Sequence, residues 1–368
     1  MRTLLLLILP LSLLPAQTPE RPVRAVTDPG TVTTNQQITP AGVQSIFQGR
    51  VYGVAFAGNS SEIHVLQATG LYRMDWKENR VLSRIPLKGK MALQGLAYHP
   101  AAGHSLAVYS DAKGQAHIVR SSDDPIPETE PGPRTPLAGA LATNGKVAVV
   151  PLTATNELAV LDAATAQLKG TVRTGIAPFG AALSADGSVA YVTNWAGRVP
   201  RQGDLTAAMG LSPTADRAVV DARGLAASGT VTRIDVNAMQ ATHTIAVGLH
   251  PTAIVWDQKR AALYVANSNA DTISVVDTRT NAAVRTIGLQ PFPQRVRGIA
   301  PTALALSPAG ATLYVACGGI NAIAVVTAAD GRIHGLIPTA WYPNALDVSP
   351  DGRYLAAATL FGPGSGWS

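Results

Sequence analysis

The stretch Pro301–Val326, PTALALSPAGATLYVACGGINAIAVV, contains three short apolar segments separated by turns. The first segment, ALALS, runs into Ser-Pro-Ala-Gly, where proline and glycine suit a tight turn. The other two, ATLYVA and AIAVV, are rich in the β-branched and aromatic side chains that a pleated strand prefers. The stretch therefore predicts three consecutive β-strands.

The chain repeats this unit. Related stretches begin at Pro178, Pro251 and Pro343 and read PFGAALSADGSVAYVTNWAG, PTAIVWDQKRAALYVANSNADTISVVD and PNALDVSPDGRYLAAATL. A period of about forty residues with four strands per unit is typical of a β-propeller blade. We therefore expect an all-β fold, a seven-bladed β-propeller of four-stranded blades. Its seven first strands begin near Gly53, Gly95, Leu137, Phe179, Thr252, Thr302 and Asn344.

Two tetrads within the repeats carry a resemblance to a known family. Tyr191–Asn194 reads YVTN and Tyr264–Asn267 reads YVAN, which resembles the YVTN-repeat family of seven-bladed propellers. Residues 193–204 (TNWAGRVPRQGD) and 335–355 (GLIPTAWYPNALDVSPDGRYL) are narrower signals. They are similar to the N-terminal propeller half of secreted bacterial proteins whose C-terminal half is an alkaline-phosphatase-like phosphoesterase. The resemblance covers about residues 36–368, and the phosphoesterase half is not in this sequence.

The first residues predict export. Residues 1–16, MRTLLLLILPLSLLPA, place one arginine before an apolar run that ends in small residues, as in a cleaved secretion signal. The alternative, a membrane anchor, is disfavoured because the run is short and interrupted by Pro10 and Pro15. We expect a periplasmic or secreted protein, with an extended lead-in at 17–35.

The propeller is expected to occupy residues 36–368, with two irregularities. An insertion at 195–229 separates the second and third strands of blade four. The sequence also stops after two strands of blade seven, so the last blade is predicted to be incomplete. The segment 36–42 (QQITPAG) is a candidate for one missing strand, because an open sheet edge invites aggregation.

Composition narrows the functional classes. Charged residues make up only 14% of the chain, with 34 Gly and 26 Pro, as expected of a turn-rich β protein. The net charge of +6 is scattered, which argues against nucleic-acid binding. Cys317 has no partner for a disulfide and is predicted to be a small buried thiol. No metal or cofactor motif is present, and we expect a monomer that does not span a membrane after signal cleavage.

The candidate site follows from the order of strands in a blade. Loops from second to third strands and loops between blades emerge on the same face, so the insertion and the long segment 290–300 should crowd one mouth of the channel. Arginines there suit carboxylate or phosphate groups, and aromatic side chains suit stacking. The candidate binding residues are Asn194, Trp195, Arg198, Arg201, Asp204, His250, Arg295, Arg297, Trp341 and Tyr342.

A purely structural role for these residues is the competing interpretation. The insertion holds four arginines and three aspartates, so its charges can pair internally with Asp204, Asp216 and Asp221. His250 precedes Pro251 at a blade junction, where a hydrogen-bonded histidine is ordinary. Trp341 and Tyr342 either cap the channel, dock a following domain or pack between blades.

Three functions remain open from the sequence. The first is an exported binding or docking module, the non-catalytic half of a phosphoesterase-type protein, whose partner at the loop-rich face is a protein domain or a small anionic ligand. The alternative is a stand-alone lactonase-like hydrolase using Arg198, Arg201, His250 and Arg297, since some similar propellers open sugar lactones. A surface-layer or adhesive repeat protein is the third. No sequence order singles out a catalytic triad, so we expect no enzyme activity from this chain alone.

Overall fold

The computed structural model describes residues 21–24, 29–32, 36–122, 138–212 and 214–363. The predicted secretion signal at 1–16 and the acidic, proline-rich connection at 123–136 lie outside the described residues. Within the described part of the chain the structure is built from β-strands, with one short 3-10 helix at Gly318–Ile320.

Three antiparallel sheets, which we call blades one to three, come first among the blades. A small two-stranded sheet precedes them and is described below. Each of the three blades is a meander in which consecutive strands pair. Blade two has three strands within the described residues and the other two have four. The strands of blade one are β3 (Val51–Phe56), β4 (Glu62–Gln67), β5 (Gly70–Asp75) and β6 (Arg80–Pro86). Those of blade two are β7 (Lys90–His99), β8 (His104–Ser110) and β9 (Ala116–Arg120). Those of blade three are β10 (Ala142–Thr143), β11 (Val147–Leu152), β12 (Glu157–Asp162) and β13 (Leu168–Arg173).

Blades four to six contain the repeat that decides the fold, and each has four strands. Blade four consists of β14 (Pro178–Leu183), β15 (Val189–Asn194), β18 (Gly229–Asp235) and β19 (Gln240–Val247). Between its second and third strands lies a separate hairpin of β16 (Thr206–Ala208) and β17 (Arg217–Val219). Blade five consists of β20 (Pro251–Asp257), β21 (Ala262–Asn267), β22 (Thr272–Asp277) and β23 (Ala282–Gly288). Blade six consists of β24 (Pro301–Leu306), β25 (Thr312–Cys317), β26 (Ala322–Thr327) and β27 (Ile333–Pro338).

A two-stranded sheet, which we call the final hairpin, follows blade six. It pairs β28 (Pro343–Val348) with β29 (Leu355–Thr359). β28 packs against β24 of blade six on one side and against β3 of blade one on the other. The ring of sheets is thereby closed, and the fold is an all-β propeller. It has six blades of three or four strands, rather than seven four-stranded blades, plus this hairpin.

The N-terminal segment does not complete the final hairpin, contrary to the suggestion from the sequence. β2 (Gln37–Ile38) pairs instead with β1 (Gly30–Thr31) in a small sheet of its own. The backbone N–H of Ala41 then donates to the carbonyl of Pro338, at the end of blade six. The outer edge of β29 therefore receives no strand from the segment 36–42.

The core lies between successive blades. One apolar cluster joins blades five and six through Tyr264, Val275 and Leu313, and similar clusters lie at the junctions between the earlier blades and between the final hairpin and blade one. The second strand of a blade is covered on both faces, which is why ATLYVA-type strands are almost continuously apolar. The outermost strands face solvent, as in the largely exposed strand β19.

Side chains also tie the inner strands to one another. Thr252 Oγ1 donates to the carbonyl of Pro301 (3.1 Å), and Thr302 Oγ1 donates to that of Pro343 (2.6 Å). Asn344 Nδ2 continues the series by donating to the carbonyl of Tyr52 in blade one (3.2 Å). In blades five and six and in the final hairpin, the residue after the repeat proline therefore bonds the next sheet, and this includes the closure between the final hairpin and blade one.

Candidate functional site

The loop-rich face is the end of the propeller at which inner strands begin. It carries the insertion 195–228, the segment 289–300, and the residues around 341–342 and 360–363. Pairing of Pro178 with Asn194 and of Pro343 with Thr359 places the ends of the second strands at this same face. The sequence-predicted residues all belong to this face.

Asn194 is a core residue of this end of blade four. It is completely buried, and its Nδ2 donates to Thr230 Oγ1 and Thr232 Oγ1, both at 3.0 Å. Its Oδ1 accepts from the backbone N–H of Gly175 (3.1 Å). Asn267 makes the same kind of contacts in blade five. The repeated asparagine thus fastens the second strand to the third and is removed from any ligand site.

Trp195 and His250 are in direct contact. Trp195 is stacked between Phe179 (ring centroids 4.2 Å apart) and His250 (4.9 Å). Burial lowers the pKa of His250, so the imidazole is neutral at pH 7. Trp195 Nε1 and His250 Nδ1 are buried without a hydrogen-bond partner. This stack packs the junction between blades four and five.

Arg198 pairs with Asp204 inside the insertion. Two of its guanidinium nitrogens donate to the two carboxylate oxygens, at 2.6 and 2.7 Å. The carboxylate also accepts from the backbone N–H of Arg201 (2.5 Å). These donors hold the pKa of Asp204 far below its usual range. The predicted internal pairing is present here and again between Arg223 and Asp221 (2.8 Å).

Three arginines of the face are free of such pairing. The side chains of Arg201, Arg295 and Arg297 are exposed, and no acidic side chain of the described residues pairs with them. The segment that carries the last two is fixed through its backbone, because Asp271 accepts from the N–H groups of Gly298 and Ala300 (2.7 and 2.9 Å). Free guanidinium groups therefore stand on a fixed segment.

Trp341 and Tyr342 lie beside Phe361, at the end of the final hairpin. The ring centroids are 4.9 and 6.0 Å from that of Phe361, and the guanidinium of Arg50 lies 5.1 Å from the same ring. Tyr342 also receives support from blade six, where its N–H donates to Asn321 Oδ1 (3.0 Å). These side chains pack around the end of the hairpin and remain partly exposed.

The backbone at His250 and Tyr342 belongs to the repeat. Both residues precede a repeat proline and have positive φ, 52° and 61°. Ala177 and Ala300 occupy the same place before their prolines and have φ of 55° and 50°. Because alanine adopts the same conformation, the backbone at His250 and Tyr342 is a feature of the blade junction and gives no sign of a binding site.

No hydrogen bond, ion pair or ring contact among the described residues joins the Trp195 stack, the Arg198 pair and the Trp341 cluster. A side-chain hydrogen bond crosses the central channel near this face. Gln94 of blade two reaches across it, and its Nε2 donates to the carbonyl of Thr302 in blade six (2.8 Å). The face is therefore a broad surface rather than the mouth of an open channel.

A pocket of about 330 Å³ lies at the opposite end of the propeller, where β28, β3 and β7 end side by side. We call it the hairpin pocket. Three of its residues also line the small central channel, which holds a cavity of about 140 Å³. Its walls are Val54, Ala55, Phe56, Ala57, Leu96, Ala97, Tyr98, Pro100, Leu346, Asp347, Val348 and Pro350.

Asp347 is the one acidic residue of this pocket. Its Oδ2 accepts from the backbone N–H of Phe56 (2.6 Å) and its Oδ1 from that of Val348 (2.9 Å). Burial raises the pKa of Asp347 to about 6, although both hydrogen bonds act in the opposite direction. No charged side chain contributes to this shift.

Sequence reasoning missed Asp347, although the repeat contains the signal. Strand pairing sets Asp347 opposite Ala356, whereas the sister blades set Ala182 opposite Tyr191 and Ala305 opposite Tyr314. A carboxyl thus replaces a small apolar side chain at an inner-strand position. Aligning the repeats by their prolines would have exposed this substitution.

A second unpredicted feature is a buried histidine between blades one and two. His64 Nδ1 lies 2.7 Å from Ser105 Oγ, and its Nε2 lies 3.1 Å from Glu62 Oε1, which also accepts from Arg73 Nε (2.7 Å). The order serine, histidine, carboxylate is that of a hydrolytic triad. His64 and Ser105 are 1% and 0% exposed, however, so no substrate reaches the hydroxyl. The network joins two blades.

Further observations concern metal ions and membranes. Within the residues described here, no group of three or more His, Cys, Asp or Glu side chains is arranged to hold a metal ion. The same residues include no helix of the length and apolarity needed to cross a bilayer.

Comparison with known proteins places the chain by fold. No family model matches it, and no curated protein matches it. Among solved structures 1438 chains match, and one of them is the hydrazine synthase of Kuenenia stuttgartiensis. That match has a TM-score of 0.67 and 14% identity, and it covers 88% of this chain and 96% of the other. The chain is thus a β-propeller protein, and at this identity the likeness shows the fold alone.

Proposed function

We propose that this chain is an exported docking module, a β-propeller of the YVTN-repeat type whose loop-rich face binds a protein domain. The final hairpin then counts as the incomplete seventh blade. The resemblance of residues 193–204 and 335–355 supports an alkaline-phosphatase-like phosphoesterase domain of the same polypeptide as the partner. The propeller is the non-catalytic half of such a protein.

The observation that carries this proposal is the clustering of exposed apolar side chains. Among the described residues, eleven large hydrophobic side chains are exposed, and seven of them belong to the loop-rich face. Leu211 is fully exposed at the turn of the β16–β17 hairpin. Isolated exposed apolar residues are ordinary, but a concentration on one face marks an interaction surface. The seven are Val199, Leu205, Met209, Leu211, Leu225, Phe292 and Phe361.

The exposed arginines of the loop-rich face indicate what kind of partner surface would fit it. The exposed guanidinium groups of Arg201, Arg295 and Arg297 lie on the same face as these apolar residues. A partner surface with an apolar centre and an acidic rim fits them, because arginine forms paired hydrogen bonds with carboxylates. The hydrolase alternative would use Arg198, Arg201, His250 and Arg297, but Arg198 is held by Asp204 and His250 by its stack on Trp195. Docking is the function that the geometry supports best.

The intact mass of the mature protein in the cells that make it tests the identity of the partner. We expect a mass well above that of residues 17–368, because the phosphoesterase domain belongs to the same polypeptide. A mass equal to that of residues 17–368 would overturn the proposed phosphoesterase partner.

A pair of variants tests the docking surface in the mature protein. Leu211→Asp places a charge in the proposed interface, and Val284→Asp places one at another exposed apolar site, on the outer strand of blade five. We expect Leu211→Asp to separate the domains and to increase the radius of gyration in solution scattering. Val284→Asp should leave it unchanged. Equal radii for the two variants and the unmodified protein would contradict docking through the insertion.

A further inference from the structure

The hairpin pocket is a second, independent site at the end of the propeller opposite the loop-rich face. Its volume of about 330 Å³ is within the range of pockets for small organic molecules. Phe56, Leu96 and Val348 contribute apolar side chains to its lining and Tyr98 adds an aromatic ring, while polar atoms make up the larger part of the accessible lining. The volume admits a molecule about the size of one benzene ring with a short polar substituent.

One charged group belongs to this lining. The carboxyl of Asp347 is held in place by the N–H groups of Phe56 and Val348, each of which occupies one of its oxygens. Each oxygen retains a further lone pair for a ligand donor. Asp347 is partly exposed and belongs to the lining of the pocket. The only other titratable side chain in the pocket wall is Tyr98.

This carboxyl lacks a counter-charge. Burial raises its pKa to about 6, and no cationic side chain offsets that effect. At neutral pH the group is therefore an ionised carboxylate with poor solvation. A ligand cation would stabilise the poorly solvated carboxylate of Asp347. An anion would be repelled, and a neutral apolar molecule would leave the carboxylate without a partner.

A cation that suits this pocket is an organic ammonium group rather than a metal ion. Hard metal ions need several oxygen ligands, and Asp347 is the one carboxylate that lines the pocket. An ammonium group needs only one or two acceptors, and its hydrocarbon part can use the apolar walls.

We propose that the hairpin pocket binds a small organic amine, whose ammonium group donates to Asp347 and whose apolar part packs against Phe56 and Tyr98. This site makes no use of the loop-rich face and does not depend on the docking function.

The test compares three ligands of equal size on the purified wild-type chain by ligand-observed nuclear magnetic resonance titration. Benzylammonium carries the positive charge, benzyl alcohol is its neutral analogue and benzoate is its anionic analogue. We expect benzylammonium to bind about tenfold more tightly than benzyl alcohol, the factor for one hydrogen bond to a charged group, and benzoate not to bind. No binding of benzylammonium, or equal affinity for the alcohol, overturns the proposal.

Two variants then locate the site. Asp347→Asn keeps the shape of the side chain and removes its charge, so the affinity for benzylammonium should fall about tenfold. Asp351→Asn removes an exposed carboxyl from the turn of the same hairpin and should leave the affinity unchanged. Unchanged affinity in Asp347→Asn would place the amine elsewhere and refute the assignment. If that variant fails to fold, the ligand series on the wild-type chain still decides the question.

Discussion

Replacing Asp347 by asparagine should change how the stability of the propeller depends on pH. The carboxyl joins the final hairpin to blade one through the N–H of Phe56. Asparagine has nearly the same shape and keeps an acceptor for this bond, but it does not titrate. The difference between the two proteins therefore isolates the ionisation of one group at the point where the ring closes.

The sign follows from the direction of the pKa shift. Folding raises the pKa of Asp347 from 3.8 to about 6, so the folded protein binds the proton more tightly than the unfolded chain does. The stability contributed by this group is complete below about pH 4 and is lost as the pH rises through about 6.

The pKa shift of Asp347 sets the size of the change in unfolding free energy. A pKa that rises from 3.8 to about 6 corresponds to an upper limit of about 3 kcal/mol. Since the side chain is partly exposed to the pocket, we expect about 2 kcal/mol.

Urea denaturation followed by tryptophan fluorescence measures the effect at a series of pH values. The unfolding free energy of Asp347→Asn minus that of the wild type should increase by about 2 kcal/mol between about pH 4 and about pH 7. Asp351→Asn is the control, because hydrogen bonds from Ser349 and Arg353 lower the pKa of Asp351 and its difference should have the opposite sign. A difference for Asp347→Asn that does not vary with pH would refute the reasoning.

Four further predictions follow from other parts of the fold. Thr302→Val removes the hydrogen bond to Pro343 and should cost about 1–2 kcal/mol in urea denaturation, whereas Thr312→Val, which loses no such bond, should cost less. His64→Ala should cost about 3 kcal/mol in the same assay, because it leaves a cavity and removes the partner of Ser105 Oγ, while Glu62 stays paired with Arg73; a loss below about 1 kcal/mol would contradict the buried network. Burial raises the pKa of Cys317 to about 12, so iodoacetamide should modify it only in denaturant, and rapid modification of the native protein would contradict its burial. Replacing residues 199–227 by a short glycine-serine loop, which keeps Trp195 and strand β18, should preserve one cooperative unfolding transition by calorimetry; loss of cooperativity would show that the replaced segment is part of the core.

The sequence repeat made the blades predictable, but it did not predict how the ring closes. Strands such as Thr312–Cys317 follow from local pattern, because β-branched residues between turn signals allow little else. The pairing of β2 with β1 depends on how distant segments pack, and residues 36–42 contain no local feature that selects a partner. The sequence therefore predicted the propeller correctly, but the proposed role of that segment was wrong.

The candidate site was likewise predictable only in part from the sequence. Topology alone placed the predicted residues on one face, and composition alone indicated the pairing of Arg198 with Asp204. The burial of Asn194 follows from side-chain hydrogen bonds to the third strand, which no motif describes. The hairpin pocket depends on three inner strands that are far apart in the chain, so its existence required the structure.

Hydrogen exchange at the insertion tests the docking function most directly. Amide exchange over residues 199–225 would be compared between the mature protein isolated from its cells and this chain expressed alone. If the loop-rich face docks a domain of the same polypeptide, these amides exchange more slowly in the mature protein, while those of strand β19 on the outside of blade four are unchanged. Equal exchange of residues 199–225 in the two samples would contradict docking at this face.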